Sequence, residues 1–251
     1  MAADYAVLST IYTTVGMARF AEGMTPRLID YAQRNDWLGR RVLDLGCGTG
    51  ASLEWLIRHN YITVGVDQSP EMLDQCRTHL EANQLNHDLR QRDVRELGVD
   101  IGGMDMVLAI DLFNELSNLR DLETLFKSIH AILNDHKLLI FDVHTIQGLS
   151  YQASLGDQIM YDNPNLMVIT SNQFDHDRQS HERRYIIFHR ADDAWQRYEG
   201  FRVLRGYPAQ AIASLLQRCG FAINAVVTPD FEVFEPGVSR ADRIIFLAEK
   251  Q

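Results

Sequence analysis

"VLDLGCGTG", residues Val42 to Gly50, decides how this 251-residue chain is read. An apolar run containing Asp44 meets glycines at 46, 48 and 50. Val42, Leu43 and Leu45 suit a strand covered on both faces. Glycines after such a strand let backbone N–H groups approach a ligand closely, and the helix N-terminus that follows favours negative charge. Leu53, Leu56 and Ile57 mark one face of that helix. Two ligand classes fit. "GCGTGA" matches the dinucleotide fingerprint at Gly46, Gly48 and Ala51, with Asp67 ending the next strand where an acid binds ribose hydroxyls. The same stretch also reads D-x-G-x-G-x-G from Asp44 to Gly50. An acid two residues before the first glycine is awkward beside a pyrophosphate, but it suits a ligand carrying an ammonium and a sulfonium. No Lys follows the glycines, which excludes a P-loop, and no Tyr-x-x-x-Lys pair supports short-chain hydride chemistry.

Working outward, helical and strand patterns alternate. Residues 3–34 read as mostly helical. "ITVGVD" is a second strand, and Ser69 with Pro70 opens a helix that places Met72, Leu73, Cys76 and Leu80 on one side. A short strand ends near Arg92 and Asp93, "MDMVLAI" is a fourth, a helix spans 120–133, and "KLLIFDV" is a fifth. This alternation implies a doubly wound parallel sheet with right-handed crossovers. After His144 the pattern changes. "DQIMYD", "LMVITSNQFD", "HERRYIIFHR" and "WQRYEGFRVLRGY" read as strands joined by polar turns, hence antiparallel. A helix from Pro208 to Gly220 and strands at 222–228 and 243–250 complete the chain. The expected organisation is an α/β domain from residues 1–147 and 207–251, interrupted by an antiparallel β insert at 148–206. The insert leaves from a strand carboxyl end, where such sheets bind ligands, so it is expected to cover the acceptor site, its wet or concave face selecting the substrate through at least one of Tyr151, Arg184 and Tyr198.

A formal charge of −10 argues against broad contact with nucleic acid phosphates. No stretch approaches the roughly 18 apolar residues of a membrane span. "MAADYAVLSTIY" shows no secretory signal, and Cys47, Cys76 and Cys219 fit reduced thiols, so a cytoplasmic protein is expected. His181 and His189 share a strand face but would lie about 26 Å apart, so no metal site is expected. Arg183 and Arg184 read as a solvated strand face.

The chain resembles the class I S-adenosylmethionine-dependent methyltransferases. "VLDLGCGTG" is similar to their first motif, "VGVDQSPEML" to their second strand, "QRDVREL" to the adenine segment, and "MDMVLAIDLFNEL" to the fourth strand with its reaction-site loop. "CGF" and "RIIFLAEK" are similar to the closing helix and reversed hairpin. The resemblance implies a Rossmann-like seven-stranded sheet of order 3-2-1-4-5-7-6. It implies S-adenosylmethionine as cofactor and S-adenosylhomocysteine as product. More narrowly, the chain resembles bacterial small-molecule methyltransferases, although Glu115 stands where that group often has an aromatic residue.

From that resemblance, Gly46, Cys47 and Gly48 pass beneath the methionine part of the cofactor, and Asp44 sits near its amino group. Asp67, assisted by Gln68, accepts the ribose hydroxyls. Met72 packs on the adenine, Asp93 accepts from its amine, and the Val94 N–H donates to its ring. Asp111 and Phe113 lie at the reaction site. Tyr12, on a segment able to fold over the cofactor, serves cofactor and catalysis. Asn114 and His144 are the other catalytic candidates, His144 as a general base. The expected function is methyl transfer to a nitrogen or oxygen of a small-molecule acceptor, by a monomer or homodimer. A methyltransferase of macromolecules, a catalytically silent cofactor-binding module and a nicotinamide-linked oxidoreductase stay open.

Overall fold

The computed structural model describes residues 3–192 and 194–251. In chain order they form α1 (Tyr5–Leu8), α2 (Arg19–Arg34), β1 (Arg41–Leu45), α3 (Ala51–Arg58), β2 (Ile62–Asp67), α4 (Pro70–Ala82), β3 (Leu89–Gln91) and β4 (Met104–Ala109). Then come α5 (Leu119–Ile132), β5 (Leu133–His144), α6 (Ile146–Ser154), β6 (Gln158–Asp162), β7 (Leu166–Asp175), β8 (Ser180–Ala191), β9 (Ala194–Arg205), α7 (Ala209–Arg218), β10 (Phe221–Val227) and β11 (Arg243–Lys250). The main sheet runs β3-β2-β1-β4-β5-β11-β10, with β11 antiparallel to both neighbours, which is the expected seven-stranded order. A second, wholly antiparallel sheet runs β6-β7-β8-β9.

Strand alternation divides the core into two layers. Leu43, Val107, Phe141 and Phe246 pack against α5 and α7 through Leu125, Phe126, Ile129, Leu215 and Leu216. Their neighbours Val42, Met106, Leu108, Ile140 and Ile245 pack against α2 and α3 through Leu28, Ile29 and Leu56. Both faces are covered, so the strands read as continuous apolar runs rather than alternating ones. Helix starts follow local chemistry. Ser69 Oγ accepts from Met72 N at 3.2 Å with Pro70 in the first turn, and Asn118 accepts from Asp121 N at 2.9 Å.

Two segments differ from expectation. Residues 9–18 form turns between α1 and α2, where the β-branched Thr13, Thr14 and Val15 precede Gly16 at φ +80°. The insert opens with a helix rather than a strand: Thr145 Oγ1 caps α6 by accepting from Gly148 N at 2.9 Å. Gly148 hid that helix from the sequence. It is a weak helix former, yet Asp242 O would stand 2.1 Å from any Cβ there, so only glycine fits.

The second sheet carries the N-terminal segment. Leu8, Ile11 and Val15 bury against Leu166, Val168, Tyr185 and Ile187, and Asp4 N donates to Phe201 O at 2.8 Å. Residues 4–17 thereby lie between that sheet and the carboxyl ends of the parallel strands.

Candidate active site

β1 ends at Leu45, and the chain then turns through Gly46, Gly48 and Gly50 at φ +73°, +53° and +89°. At Gly50 a Cβ would fall 2.6 Å from Cys76 Sγ, so that glycine admits a neighbouring helix. At Gly48 nothing lies within 4 Å, so its bare face opens onto free space. Asp67 ends β2 and braces the loop: Oδ2 accepts from Gly48 N and Oδ1 from Ser69 N, both at 2.9 Å. Burial raises the Asp67 carboxyl despite these N–H donors.

Asp44 is 2% exposed, and its Oδ2 has no hydrogen-bond partner. Burial, with Asp67 nearby, pushes its carboxyl up to about 7. A buried, unpartnered carboxylate oxygen is costly unless something outside the protein completes it.

A cavity of about 170 Å³ opens over these strand ends. Of the residues expected at the cofactor, Tyr12, Gly46, Gly48, Asp67, Gln68, Met72, Asp93, Val94 and Asp111 line it. Asp44 and Cys47 line a side compartment of about 30 Å³, which shares Tyr12, Gly46, Gly48 and Asp111 with the main cavity. Asp93 is already engaged: Arg95 donates to both its oxygens and holds it below the usual carboxylate range.

Three expected residues line neither compartment. Phe113 is fully buried, with ring centroids 4.0 Å from Phe141 and 5.5 Å from Phe126, and belongs to the core. Asn114 is a tie: its amide donates to His144 O at 3.0 Å and Arg205 O at 2.8 Å, and its oxygen accepts from His144 N at 2.7 Å. His144 is buried against Arg243, with Nε2 3.4 Å from Asp111 Oδ1 and Nδ1 3.2 Å from Gln152 Nε2. Burial lowers its pKa although Asp111 opposes the shift. Both ring nitrogens face protein groups, which leaves neither directed at an acceptor.

The acceptor side holds a charge network that the sequence did not reveal. Arg202 of β9 places Nη1 2.9 Å from Asp111 Oδ2 and Nε 2.8 Å from Glu115 Oε1, and Tyr5 donates its hydroxyl to the same Glu115 oxygen. Arg243, at the start of β11, lies 3.1 Å from both Asp111 Oδ1 and Asp142 Oδ2, with its guanidinium 3.7 Å over the Phe20 ring. Asp142 accepts from Asp111 N at 2.7 Å and supports that residue at φ +61°. Burial alone would raise the Asp111 carboxyl; Arg202, Arg243 and His144 outweigh it and hold Asp111 well below the usual range. The clearest sequence signal for this network was Asp142, an acid inside the apolar run from Leu138 to Val143.

No residue of β6–β9 or α6 lines the main cavity among the described residues. Its cover on this side is the N-terminal segment, through Ala3, Tyr5 and Tyr12. Of the three insert residues expected to choose a substrate, Tyr151 is exposed on α6 and Arg184 pairs with Glu199. Tyr198 lines a separate groove against Val7 and Ile11.

Residues 42–136 match a methyltransferase domain model. A crystal structure of an S-adenosylmethionine-dependent methyltransferase from Clostridium acetobutylicum has the same fold. Its TM-score is 0.79 at 24% identity, over 90% of each chain. Fold, loop and domain match point to one class: residues 42–136 carry a methyltransferase domain, on the fold of S-adenosylmethionine-dependent methyltransferases. Within that class it is similar to the putative methyltransferase YqeM of Bacillus subtilis, 29% identical over 216 residues and 84% of each chain. It also shares its fold with CalS10, an amino pentose methyltransferase from Micromonospora echinaspora solved with S-adenosylmethionine bound. That TM-score is 0.67 at 16% identity, over 92% of each chain. No helix among the described residues is long and apolar enough to cross a membrane.

Proposed function

We propose that this methyltransferase acts on a small-molecule nitrogen or oxygen nucleophile. The observation that carries the reading is the cover: Ala3, Tyr5 and Tyr12 close over the cavity, and the segment bearing them is fixed by apolar packing to the second sheet. A folded protein or nucleic acid would have to displace that segment, and the −10 charge gives a polyanion no help. The amino pentose activity of CalS10 supports the same reading for a shared fold.

The residues present fit the cofactor. Asp44 offers an unpartnered oxygen to its ammonium, Gly48 an open backbone face, and Asp67 the remaining acceptor capacity of both oxygens to ribose hydroxyls. Val94, Met72 and Asp93 would border the adenine. When bound, the cofactor supplies a methyl group already activated on a sulfonium. The chain's part is positioning, since holding reactants at near-attack geometry supplies much of the rate. Tyr12 borders both compartments, and burial raises its phenol, so it stays protonated as a donor or ring edge. Asp111, locked by two arginines, orients the loop. Asn114 and His144 act as positioning residues, joining β5, β9 and the loop after β4. Residues 1–147 and 207–251 form the cofactor domain, and 148–206 hold its N-terminal cover.

Calorimetry with S-adenosylmethionine, S-adenosylhomocysteine and NAD tests the cofactor assignment, the first two being expected to bind. Radiolabelled S-adenosylmethionine offered with metabolite, peptide and RNA pools tests the acceptor. Label is expected in the metabolite pool; label only in peptide or RNA would overturn the reading.

A further inference from the structure

We propose that Glu115 is the anchor for the acceptor, and that the acceptor presents a protonated aliphatic amine to it. The proposal rests on the small-molecule reading above and narrows it to one chemical class.

Glu115 lies in the short turn of helix Phe113–Glu115 that follows β4, lines the main cavity beside Tyr5 and Tyr12, and has a side chain 13% exposed. Its bonds are lopsided. The Tyr5 hydroxyl and Arg202 Nε donate to Oε1, and Arg202 Nη2 lies 2.7 Å from that same atom. Oε2 receives no hydrogen bond from the described residues and is not among the atoms sealed from solvent. An ionised carboxylate has about four lone-pair sites, two on each oxygen. Asp111 differs: Arg202 takes one of its oxygens and Arg243 the other.

The charge count points the same way. Asp111, Glu115 and Asp142 are three carboxylates, and Arg202 and Arg243 are the two guanidiniums paired with them. With all three carboxylates ionised and His144 neutral, one negative charge remains unmatched. The cavity wall adds Asp67, Asp93 and Asp121, against Arg95, which already pairs with Asp93 and Asp121. An acceptor bearing a carboxylate or phosphate would meet repulsion, whereas an ammonium would complete Oε2 and balance the network. Burial raises the Glu115 carboxyl, with Arg202 opposing, and a carboxylate above its ordinary range is also the better proton acceptor when that amine must become neutral.

Glu115 could instead be only a latch for Tyr5 and Arg202. Glu115→Gln separates the two roles, because the amide oxygen still accepts at the latch while the charge is lost. The probes are isosteric pairs: cyclohexylamine with cyclohexanol, and glucosamine with glucose. They are titrated calorimetrically into wild type and variant saturated with S-adenosylhomocysteine. Wild type should bind the amine of at least one pair tenfold or more tighter than its alcohol. Glu115→Gln should lose that preference while its affinity for S-adenosylhomocysteine stays within threefold. Equal binding of amine and alcohol by wild type, no binding of either amine, or a variant that keeps the preference would overturn the proposal. If Glu115→Gln does not fold, the wild-type pairs decide alone. Methyl transfer to an alcohol or phenol sinks the amine assignment and leaves the small-molecule reading intact; transfer only to peptide or RNA sinks both.

Discussion

Two carboxylate pairs sit at the carboxyl ends of neighbouring parallel strands, and they are treated in opposite ways. Asp44 and Asp67, ending β1 and β2, have no cationic partner, and burial raises both. Asp111 and Asp142, after β4 and in β5, receive Arg202 from the second sheet and Arg243 from the reversed strand. The first pair carries an electrostatic cost that a proton or a cationic ligand can relieve. The second is neutralised by the protein and becomes part of the scaffold. The difference is one of supply: both arginines come from elements outside the parallel core, and neither pairs with Asp44 or Asp67.

Breaking the neutralised side should have the largest effect. Arg202→Met strands Asp111 and Glu115 without their shared cation, and removing one partner of a buried pair costs about 3–5 kcal/mol. Urea unfolding should register that loss; a change under about 1 kcal/mol would show that water reaches the network.

The uncompensated side should respond with the opposite sign. The Asp44 carboxyl is raised from 3.8 to about 7, so the folded protein holds a proton there that the unfolded chain has lost. Its contribution to stability is complete below about pH 4 and is lost as pH climbs to about 7, on the order of 4 kcal/mol at about 1.36 kcal/mol per pH unit. Asp44→Asn should flatten that slope and make the ligand-free protein more stable than wild type at pH 8. It should also weaken S-adenosylmethionine about tenfold to a hundredfold, since a charged hydrogen bond is worth about 1.5–3 kcal/mol. Thermal unfolding at pH 4 and 8, with calorimetry, checks both.

Asp67→Ala sharpens the contrast within the first pair. It should weaken the cofactor by a similar factor, but it also frees Gly48 N and Ser69 N, so stability should fall by about 1–2 kcal/mol rather than rise. Equal stability with unchanged affinity would remove Asp67 from the site. The smallest effect is expected at Tyr151→Ala. The side chain is 56% exposed on α6, and such surface changes stay within about 0.5 kcal/mol.

The same contrast explains what the sequence could reveal. Asp44, the glycines and Asp67 lie within one strand–loop–helix–strand passage, so their spacing carried the loop and both acids, while the cofactor and the strand order rested on the family resemblance. Arg202 and Arg243 lie 91 and 132 residues from Asp111, and no local pattern ties an arginine to so distant an acid. Phe113 was placed at the site because it follows the fourth strand, where the resembled family has its reaction site, but a short helical turn sends neighbouring side chains in different directions. Asn114 and His144 stood at the right strand ends; their partners, set by backbone atoms of β5 and β9, emerge only from the tertiary packing. The alternation of β6–β9 gave a sheet, but not that its apolar face is filled by residues 4–17.

That filled face has a practical consequence. Ala3 forms part of the cavity wall, whereas Gln251 is exposed and hydrogen-bonded through its N–H to Gly220 O, just ahead of β10. β10 runs in the same direction as β5, so its start lies at the opposite end of the sheet from the site. A fluorophore or affinity tag attached ahead of Ala3 sits at the mouth of the pocket and reports on it or obstructs it; one placed after Gln251 leaves it alone.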